Sequence, residues 1–512
     1  MAQLMAAPAL TFQLSFSGQK ECNKVIRKQA ADGSLEQALL TYIDMQEIGF
    51  FADNYTFPVL LKAAAKLRDC GLGYALHCQT VKTGFSSHAF VQTALVNLYG
   101  SYGELDNACR VFDSIALKDE IAWNSMLDTY ASSGEVPMAA EFFNSMEIKD
   151  VASLNIMISG YGSIGHVASA RALFDKAPVR DLTSWNSMIF AYTKINDMVE
   201  ARKLFDSMQE RNVITWNSVI AGYVSSQLYS EAVSLFFDMR ADDIKPDHLT
   251  VSGVLSACSH LGALETGMEV HTYVLNRGMS SSFHVTSSLI GMYANCGCIW
   301  SALQVFYKSD VKDIYCWSSM ISGLGLHGYG HAALELFDQM TEKGSILPDD
   351  ITFIAVLSAC SHSGLVKQGL ELFDKMEADF GLTPKSEHYG CMVDLLARAG
   401  LLDQALHLLK TMPFEPGETA LGALLSACVT HQDLETGNEV LKLMHSTRGE
   451  MSDGEFMMLA NLYAACGRWD EADRWRSMMN NAGMVKTAGF SVVEVDGKMY
   501  KFLAGDREVQ SP

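Results

Sequence analysis

The sequence predicts an all-α protein, a right-handed superhelical solenoid of helix-turn-helix repeats that ends in a short β-hairpin-like tail. Phenylalanine recurs every 31 residues from Phe112 to Phe236, and a Trp-Asn-Ser triplet recurs at Trp123, Trp185 and Trp216. Fixed periods of about 20 to 50 residues indicate a repeat array rather than separate globular domains. Only 10 prolines interrupt the 512 residues, and 27 methionines with abundant alanine and leucine favour helix.

Each repeat divides into two apolar-periodic stretches of about a dozen residues, which predict two helices. The first helix contains the Trp-Asn-Ser-Met-Ile stretch, and the second contains a Glu-Ala-x-x-Leu-Phe-Asp-x-Met stretch, as from Glu200 to Met208. Neither helix can bury its apolar face alone, so neighbouring hairpins must stack into a continuous core. The turn between the helices often contains glycine, which occurs at Gly103, Gly134, Gly165, Gly297 and Gly328.

The elements follow one another from a leader to a tail. Residues 1–18 contain no Asp, Glu, Lys or Arg and predict a cleavable targeting segment. Two degenerate hairpins, 418–452 and 453–484, form an extension, and the tail 485–512 contains a predicted hairpin with a type I′ turn at Asp496-Gly497. About twelve repeats lie between leader and extension, at 19–53, 54–88, 89–119, 120–150, 151–181, 182–212, 213–247, 248–282, 283–313, 314–349, 350–385 and 386–417.

The composition excludes several classes of protein. The 38 Lys and Arg residues against 59 Asp and Glu give a net charge of −21. This charge argues against binding nucleic acid mainly by phosphate neutralisation, but it does not argue against contacts to bases. The 12 cysteines form no Cys-x-x-Cys pair and predict free thiols in a reducing compartment. The longest uncharged stretch, Gly278 to Tyr307, contains His284 and several serines, so no membrane span or membrane partner is predicted.

No catalytic motif is found. A zinc deaminase needs His-x-Glu and a later Cys-x-x-Cys, and neither pattern occurs, while Cys296-Gly297-Cys298 is one residue too tight. We therefore predict no enzyme activity, no cofactor and no metal site. Two Gly-x-Gly-x-x-Gly matches lie at the same phase of their repeats without a preceding strand, so they predict helix ends and turns rather than a dinucleotide site. They are Gly160-Gly162-Gly165 and Gly323-Gly325-Gly328.

The repeat motifs resemble those of plant pentatricopeptide repeat proteins. The resemblance rests on Trp-Asn-Ser-Met-Ile, on Leu-Phe-Asp-x-Met and on the Ile-Lys-Pro-Asp ending at Asp247, and it covers about residues 19–506. Tetratricopeptide repeats hold to a period of about 34 residues and carry a Leu-Gly-x-x-Tyr pattern that is missing here. The mixture of 31-, 35- and 36-residue repeats resembles the PLS subfamily.

The C-terminal part resembles the E subgroup of that subfamily. Ser386 to Leu396 resembles the last short motif, and Leu425 to Cys428 with Asn461 to Tyr463 resembles the paired E motifs. In related proteins a deaminase-like domain ending in Asp-Tyr-Trp often follows, and we expect it to be lacking here because the sequence stops at Pro512.

The resemblance implies that each repeat contacts one base of single-stranded RNA through its fifth and last residues. An Asn at the fifth place with an Asp at the last implies a pyrimidine, preferably uracil. A Thr or Ser at the fifth place with an Asp at the last implies guanine. The pair Asn186 with Asn212 implies cytosine. The other pairs are Asn23 with Asp53, Thr93 with Asp119, Asn124 with Asp150, Asn155 with Asp181, Asn217 with Asp247, Ser287 with Asp313, and Ser318 with Asp349.

Three long repeats and the last short one depart from this code and receive no base assignment. The long repeats carry Pro58 with His88, Ser252 with Ser282, and Ile354 with Lys385, and the short one carries Gly390. The apolar second residues Phe90, Ile121, Ile214 and Tyr315 are expected to flank bases. The alternative role for each Asp at a repeat end is to cap the helix that follows.

The function that the resemblance implies is site recognition for cytidine-to-uridine editing of organellar RNA, in the mitochondrion or the chloroplast. A DYW-type deaminase or other editing factors would be recruited in trans through the E motifs. One alternative is an organellar RNA processing, stability or splicing factor that acts by occupying its site. A second alternative, which the acidic charge favours, is a helical-repeat scaffold that binds proteins.

Overall fold

A computed structural model of the chain describes residues 18–310, 312–342, 346–447, 451–484, 489–495 and 498–503. These residues form 28 α-helices and one two-stranded sheet, which confirms the predicted all-α class. The chain divides into two compact bodies, residues 1–222 and 223–512. The predicted targeting segment, apart from Gly18, lies outside the described residues.

The first body is a row of helical hairpins. In each hairpin the odd-numbered helix is the first helix of a repeat, and α5, α7, α9 and α11 pack on one another in that order. Helix α13 (Val213–Ser225) includes the boundary between the bodies. The preceding helices are α1 (Gln19–Ala31), α2 (Leu35–Glu47), α3 (Thr56–Leu67), α4 (Cys70–Lys82), α5 (Ala89–Ser101), α6 (Leu105–Ser114), α7 (Glu120–Ser132), α8 (Val136–Ser145), α9 (Val151–Ser163), α10 (Val167–Lys176), α11 (Leu182–Lys194) and α12 (Met198–Ser207).

The second body has the same internal arrangement, and its first helices α15 to α27 pack on one another in sequence order. Its helices are α14 (Tyr229–Ala241), α15 (His248–Leu261), α16 (Leu264–Asn276), α17 (Phe283–Asn295), α18 (Ile299–Lys308), α19 (Ile314–Leu326), α20 (Gly330–Glu342), α21 (Asp350–Ser363), α22 (Val366–Ala378), α23 (Ser386–Arg398), α24 (Leu402–Thr411), α25 (Glu418–His431), α26 (Leu434–Thr447), α27 (Asp453–Ala465) and α28 (Trp469–Asn481).

Strands β1 (Phe490–Val495) and β2 (Lys498–Leu503) form an antiparallel hairpin in which Val495 pairs with Lys498. The predicted Asp496-Gly497 turn lies outside the described residues. No helix in the described ranges is long and apolar enough to cross a bilayer.

Ring contacts between successive repeats explain why phenylalanine and tryptophan share one period. Phe174 of α10 meets Trp185 of α11 edge to face, with ring centroids 5.0 Å apart. Phe205 meets Trp216 in the same way at 4.8 Å, and an equivalent contact recurs in the second body. Edge-to-face pairs are favourable beyond the area that they bury. The second helix of one repeat is therefore packed against the first helix of the next.

Aspartates at repeat ends begin many of the first helices. Asp119 Oδ1 accepts a hydrogen bond from the Ala122 N–H at 2.8 Å, and Asp313 Oδ1 accepts one from the Cys316 N–H at 3.0 Å. Such caps satisfy backbone N–H groups that lack a partner within the helix. The five turn glycines named above have positive φ angles of 75° to 85°, which side chains with a Cβ atom disfavour.

The two Gly-x-Gly-x-x-Gly matches, which begin at Gly160 and at Gly323, lie at helix packing contacts and in turns. A Cβ atom at Gly162 in α9 would approach the Cα of Ala191 in α11 to 3.0 Å. A Cβ atom at Gly325 in α19 would approach the Cα of Ala359 in α21 to 2.7 Å. These glycines allow consecutive first helices to come close, which is a packing role rather than a phosphate-binding one.

Two half-buried histidines predict a pH dependence of stability. His77 Nδ1 lies 2.5 Å from the Tyr99 hydroxyl, and His271 Nδ1 lies 2.8 Å from the Tyr293 hydroxyl. Burial lowers the pKa of both imidazoles. The unfolded chain therefore binds protons more readily than the folded one. The contribution of these histidines to folding stability is complete above about pH 6.5 and is lost as the pH falls through the lowered pKa.

We expect the Tm to fall between pH 7.5 and 5.5, and to fall less in the H77Q/H271Q variant. Circular dichroism measures the Tm of both proteins at each pH. If the Tm falls equally in the parent protein and the variant, this explanation is wrong.

Candidate nucleic-acid interface

Two repeats bring their fifth and last residues into direct hydrogen bonds. Asn124 Nδ2 donates to the two carboxylate oxygens of Asp150, at 3.2 and 3.0 Å. Asn155 Nδ2 donates to Asp181 Oδ1 at 3.0 Å. Each amide group is thus oriented by the carboxylate at the end of its own repeat.

That oxygen has no partner in three consecutive repeats. The amide oxygens of Asn124, Asn155 and Asn186 are shielded from water and accept no hydrogen bond from any described residue. A buried acceptor without a donor costs about 1 to 3 kcal/mol. The N3–H of uracil and the amino group of cytosine are donors that would remove this cost. Asn124, Asn155 and Asn186 therefore share one feature, a buried amide oxygen at the fifth position that has no partner among the described residues.

The aspartates of these pairs cap helices at the same time. Asp150 Oδ1 accepts from the Ser153 N–H at 2.7 Å. Burial would raise the pKa of Asp150, but the hydrogen bonds from Ser153 and Asn124 outweigh it and lower the pKa. The pKa of Asp181 is lowered in the same way. Capping and orientation of the amide are compatible roles, and the carboxylate remains charged near neutral pH.

Asn212, the last residue of the third repeat in this series, is held by a neighbouring threonine. Its Oδ1 accepts from the Thr215 N–H at 3.0 Å and from the Thr215 hydroxyl at 2.9 Å. Its amide nitrogen is thereby directed away from the helix that it caps. An amide at this place offers a donor where the other two repeats offer a carboxylate, which is the difference on which the cytosine assignment depends.

The hydroxyl-containing repeats are arranged differently. The Ser318 hydroxyl lies 2.8 Å from the Thr352 hydroxyl, which in turn donates to Asp349 Oδ1 at 2.8 Å. The hydroxyls of Thr93 and Ser287 donate to backbone carbonyls of their own helices at 3.0 Å. Their partner residues Asp119 and Asp313 cap the following first helices, α7 and α19. The smaller hydroxyls leave more room beside the carboxylate than asparagine does.

The first predicted pair lacks the geometry of the others. Asn23 is 2% exposed, and its amide nitrogen donates to the backbone carbonyls of Gln19 and Phe51. Arg27 forms a salt bridge with Asp53 at 3.1 Å. Both side chains are therefore held by other residues of the chain. Neither presents the partner-free oxygen found in the three asparagine repeats.

The repeat 213–247 extends over both bodies. Asn217 lies in the first body and Asp247 in the second. Asp247 Oδ1 accepts from the Thr250 N–H at 2.9 Å and begins α15. This residue therefore has the same capping role as its counterparts.

The second residues of many repeats form a set of exposed apolar side chains. The four predicted base-flanking residues Phe90, Ile121, Ile214 and Tyr315 are 51 to 62% exposed. Large apolar side chains at this exposure, repeated at one phase, are unusual for surfaces that face only water. Three long repeats carry the same feature, which the sequence analysis left out, at Tyr55, Leu249 and Ile351.

In the described ranges no three His, Cys, Asp or Glu side chains are grouped as metal ligands would be. Burial, with the nearby Cys298 thiol, raises the pKa of Cys296 to about 11. A thiol that keeps its proton is a poor zinc ligand. Cys296 and Cys298 lie at the turn after α17, as the repeat pattern predicts.

Comparison with known protein families identifies the repeats. The PPR repeat model matches residues 121–151, 152–181, 183–213, 315–345, 351–379 and 387–415. A second PPR repeat family model matches residues 211–260, and the E motif model matches residues 431–494.

Curated plant proteins resemble the chain over most of its length. The pentatricopeptide repeat-containing protein At3g29230 of Arabidopsis thaliana is 44% identical over 490 residues, covering 95% of this chain and 81% of its own. At5g56310 of the same plant is 37% identical, over 89% of this chain and 74% of its own. The crystal structure of the maize pentatricopeptide repeat protein PPR10 is similar at 16% identity and a TM-score of 0.48, covering 91% of this chain and 74% of that one.

Proposed function

Because the chain belongs to the pentatricopeptide repeat family, we propose that it binds organellar RNA sequence-specifically and selects a cytidine for editing to uridine. The repeats of this family bind RNA, one base per repeat, and are not themselves catalytic. The deamination itself is therefore assigned to a partner, a DYW-type deaminase or an editing factor that binds in trans. The E motif match at residues 431–494 supports the editing role over other RNA functions.

One observation supports sequence-specific reading most strongly. Asn124, Asn155 and Asn186 occupy the same phase of three consecutive repeats, and each has a shielded amide oxygen without a partner. A scaffold that binds proteins would gain nothing from repeating such a cost, whereas a pyrimidine base relieves it in each repeat. The proposed site is 5′-Y-n-G-Y-Y-C-Y-n-G-G-n-n, in which the first pyrimidine is the weakest because Asn23 and Asp53 are held by other residues.

The apolar second residues explain how a chain of charge −21 can bind RNA. Stacking of a base on an aromatic side chain, such as Phe90 or Tyr315, is worth about 1 to 3 kcal/mol and does not depend on phosphate neutralisation. Phe90, Ile121, Ile214 and Tyr315 are exposed and are placed at the start of a first helix, as are the paired residues. Affinity then comes from bases held between apolar side chains, and specificity comes from the polar pairs.

A plant line that lacks the protein tests the editing role. Sequencing of mitochondrial and chloroplast transcripts should show at least one cytidine that loses conversion, downstream of a match to the proposed site. If every cytidine is converted normally while transcript ends or intron removal change, the protein acts as a processing or splicing factor instead.

A point substitution in the extension separates recruitment from RNA binding. Trp469 begins α28 and is a large apolar side chain that is 64% exposed. We expect W469S to bind the site RNA with unchanged Kd and to restore less than about a tenth of the editing in the mutant line, since exposed tryptophans commonly dominate protein interfaces. Leu117, 89% exposed in the repeat 89–119, is the matched control. L117S should edit normally, and normal editing by W469S would remove this residue from the partner interface.

A further inference from the structure

A carboxylate of the C-terminal hairpin contacts the first turn of a helix at residues 228 and 229 positions earlier in the chain. Glu494 Oε2 accepts a hydrogen bond from the Glu265 N–H at 2.7 Å. Its Oε1 accepts from the Thr266 N–H at 3.1 Å and from the Thr266 hydroxyl at 2.6 Å. Both N–H groups belong to the first turn of α16, where they lack partners within the helix and where the helix dipole favours a negative charge.

A second helix of the same body shows what Glu494 replaces. Helices α16 and α26 begin with the same four residues, Leu-Glu-Thr-Gly. In α26 the preceding residue, Asp433, accepts from the Thr436 N–H at 3.0 Å and from its hydroxyl at 2.7 Å. In α16 the preceding residue is Ala263, which provides no side-chain cap. The hairpin therefore supplies the carboxylate that the local sequence of α16 lacks.

Burial along β1 agrees with this contact. Val492 and Glu494 are half-buried, whereas the alternate residues Ser491, Val493 and Val495 are exposed. Successive side chains of a strand point to opposite faces. One face of the strand is therefore covered while the other faces water.

The contact lies away from the fifth residue of this repeat. Glu494 meets α16 at the turn that follows α15, whereas Ser252, the fifth residue of the repeat, lies near the start of α15. These places are roughly 15 Å apart along the helix axis. The docked hairpin and a bound base therefore do not compete for the same atoms.

We propose that the C-terminal hairpin is an intramolecular clasp, in which the Glu494 carboxylate caps α16 and fixes the end of the extension to the repeat at 248–282. The clasp holds the hairpin that follows the extension in a fixed position on the second body, at the turn after α15. Its consequence for the choice of the edited cytidine rests on the function proposed above, whereas the contact itself does not.

Hydrogen–deuterium exchange on the full chain without RNA tests the clasp. In E494A, peptides covering 262–270 and 489–503 should both exchange about fivefold faster or more, as expected for loss of a helix cap. In E494A combined with A263D, a local cap replaces the lost one, so 262–270 should regain protection while 489–503 stays unprotected. D433A is the matched control, because it should expose the start of α26 and leave 489–503 unchanged.

The outcomes separate the clasp from the RNA function. Unchanged exchange of both peptides in E494A, or a hairpin that exchanges at the unprotected rate in the parent protein, would overturn the clasp. RNA affinity measured on the same variants should remain that of the parent protein. A parent protein that shows the clasp but binds no RNA sequence-specifically would instead overturn the proposed function alone.

Discussion

Replacing Asn124 and Asn155 with threonine should change the preferred bases at two adjacent positions of the bound RNA from pyrimidine to guanine. Each substitution removes an amide group that donates a hydrogen bond to Asp150 or to Asp181. The oxygen of each amide accepts no hydrogen bond from any described residue. Threonine leaves a smaller hydroxyl beside the same carboxylate, which is the combination that Thr93 and Asp119 provide. Losing one buried hydrogen bond costs about 1 to 3 kcal/mol, so each position should lose roughly fivefold to 150-fold in affinity for the original base.

Fluorescence anisotropy with two RNAs measures this change. One RNA carries the proposed site, and the other carries guanine at the fourth and fifth positions. The N124T/N155T variant should bind the second RNA more tightly than the first, whereas the parent protein should show the opposite order. N144T is the control, because Asn144 is exposed on α8, the second helix of the repeat 120–150. An order of affinities that stays the same in the double variant would show that these asparagines do not read bases.

The same glycine-to-alanine substitution should have opposite effects on stability at two places in the second body. At Gly325 the new Cβ atom would lie 2.6 Å from the Cβ and 2.7 Å from the Cα of Ala359, so α19 and α21 must move apart. Such overpacking costs about 1 to 3 kcal/mol and exceeds the gain of about 1 kcal/mol in helix propensity. At Gly291 in α17 no atom lies within 4 Å of the new Cβ, so only the gain remains.

Urea denaturation followed by circular dichroism compares the two variants. We expect G325A to unfold at lower urea than the parent protein and G291A to unfold at slightly higher urea. Repeat arrays unfold in parts, so the transition of the second body is the one to compare. A stabilising effect of G325A would mean that the close approach of α19 and α21 is not required for the stack.

The repeat architecture could be predicted because it depends on local sequence that recurs. Phenylalanine and tryptophan recur at the same spacing because rings such as those of Phe174 and Trp185 contact each other across the junction between repeats. The exposed second residues were predictable for the same reason. Tyr55, Leu249 and Ile351 occupy the same second position in three long repeats and are exposed as well.

Features that depend on single residues could not be predicted from the period. Asn23 and Asp53 have the right phase, but Arg27, at a position occupied by Asp128 in the repeat 120–150, binds the carboxylate. The contact of Glu494 with α16 joins residues that no spacing rule relates. A missing cap before Leu264 is visible in the sequence only when α16 is compared with α26.

Selection from a randomised pool of single-stranded RNA, at a stated salt concentration, tests the central claim most directly. The parent protein should enrich sequences that carry guanine at the third position, a pyrimidine at the fourth and fifth positions, and cytosine at the sixth. This order is the one that Thr93, Asn124, Asn155 and Asn186 imply. Enrichment of this order would establish base reading by the paired residues. A pool that shows no enrichment, or one whose enriched order is unrelated to these four residues, would contradict it.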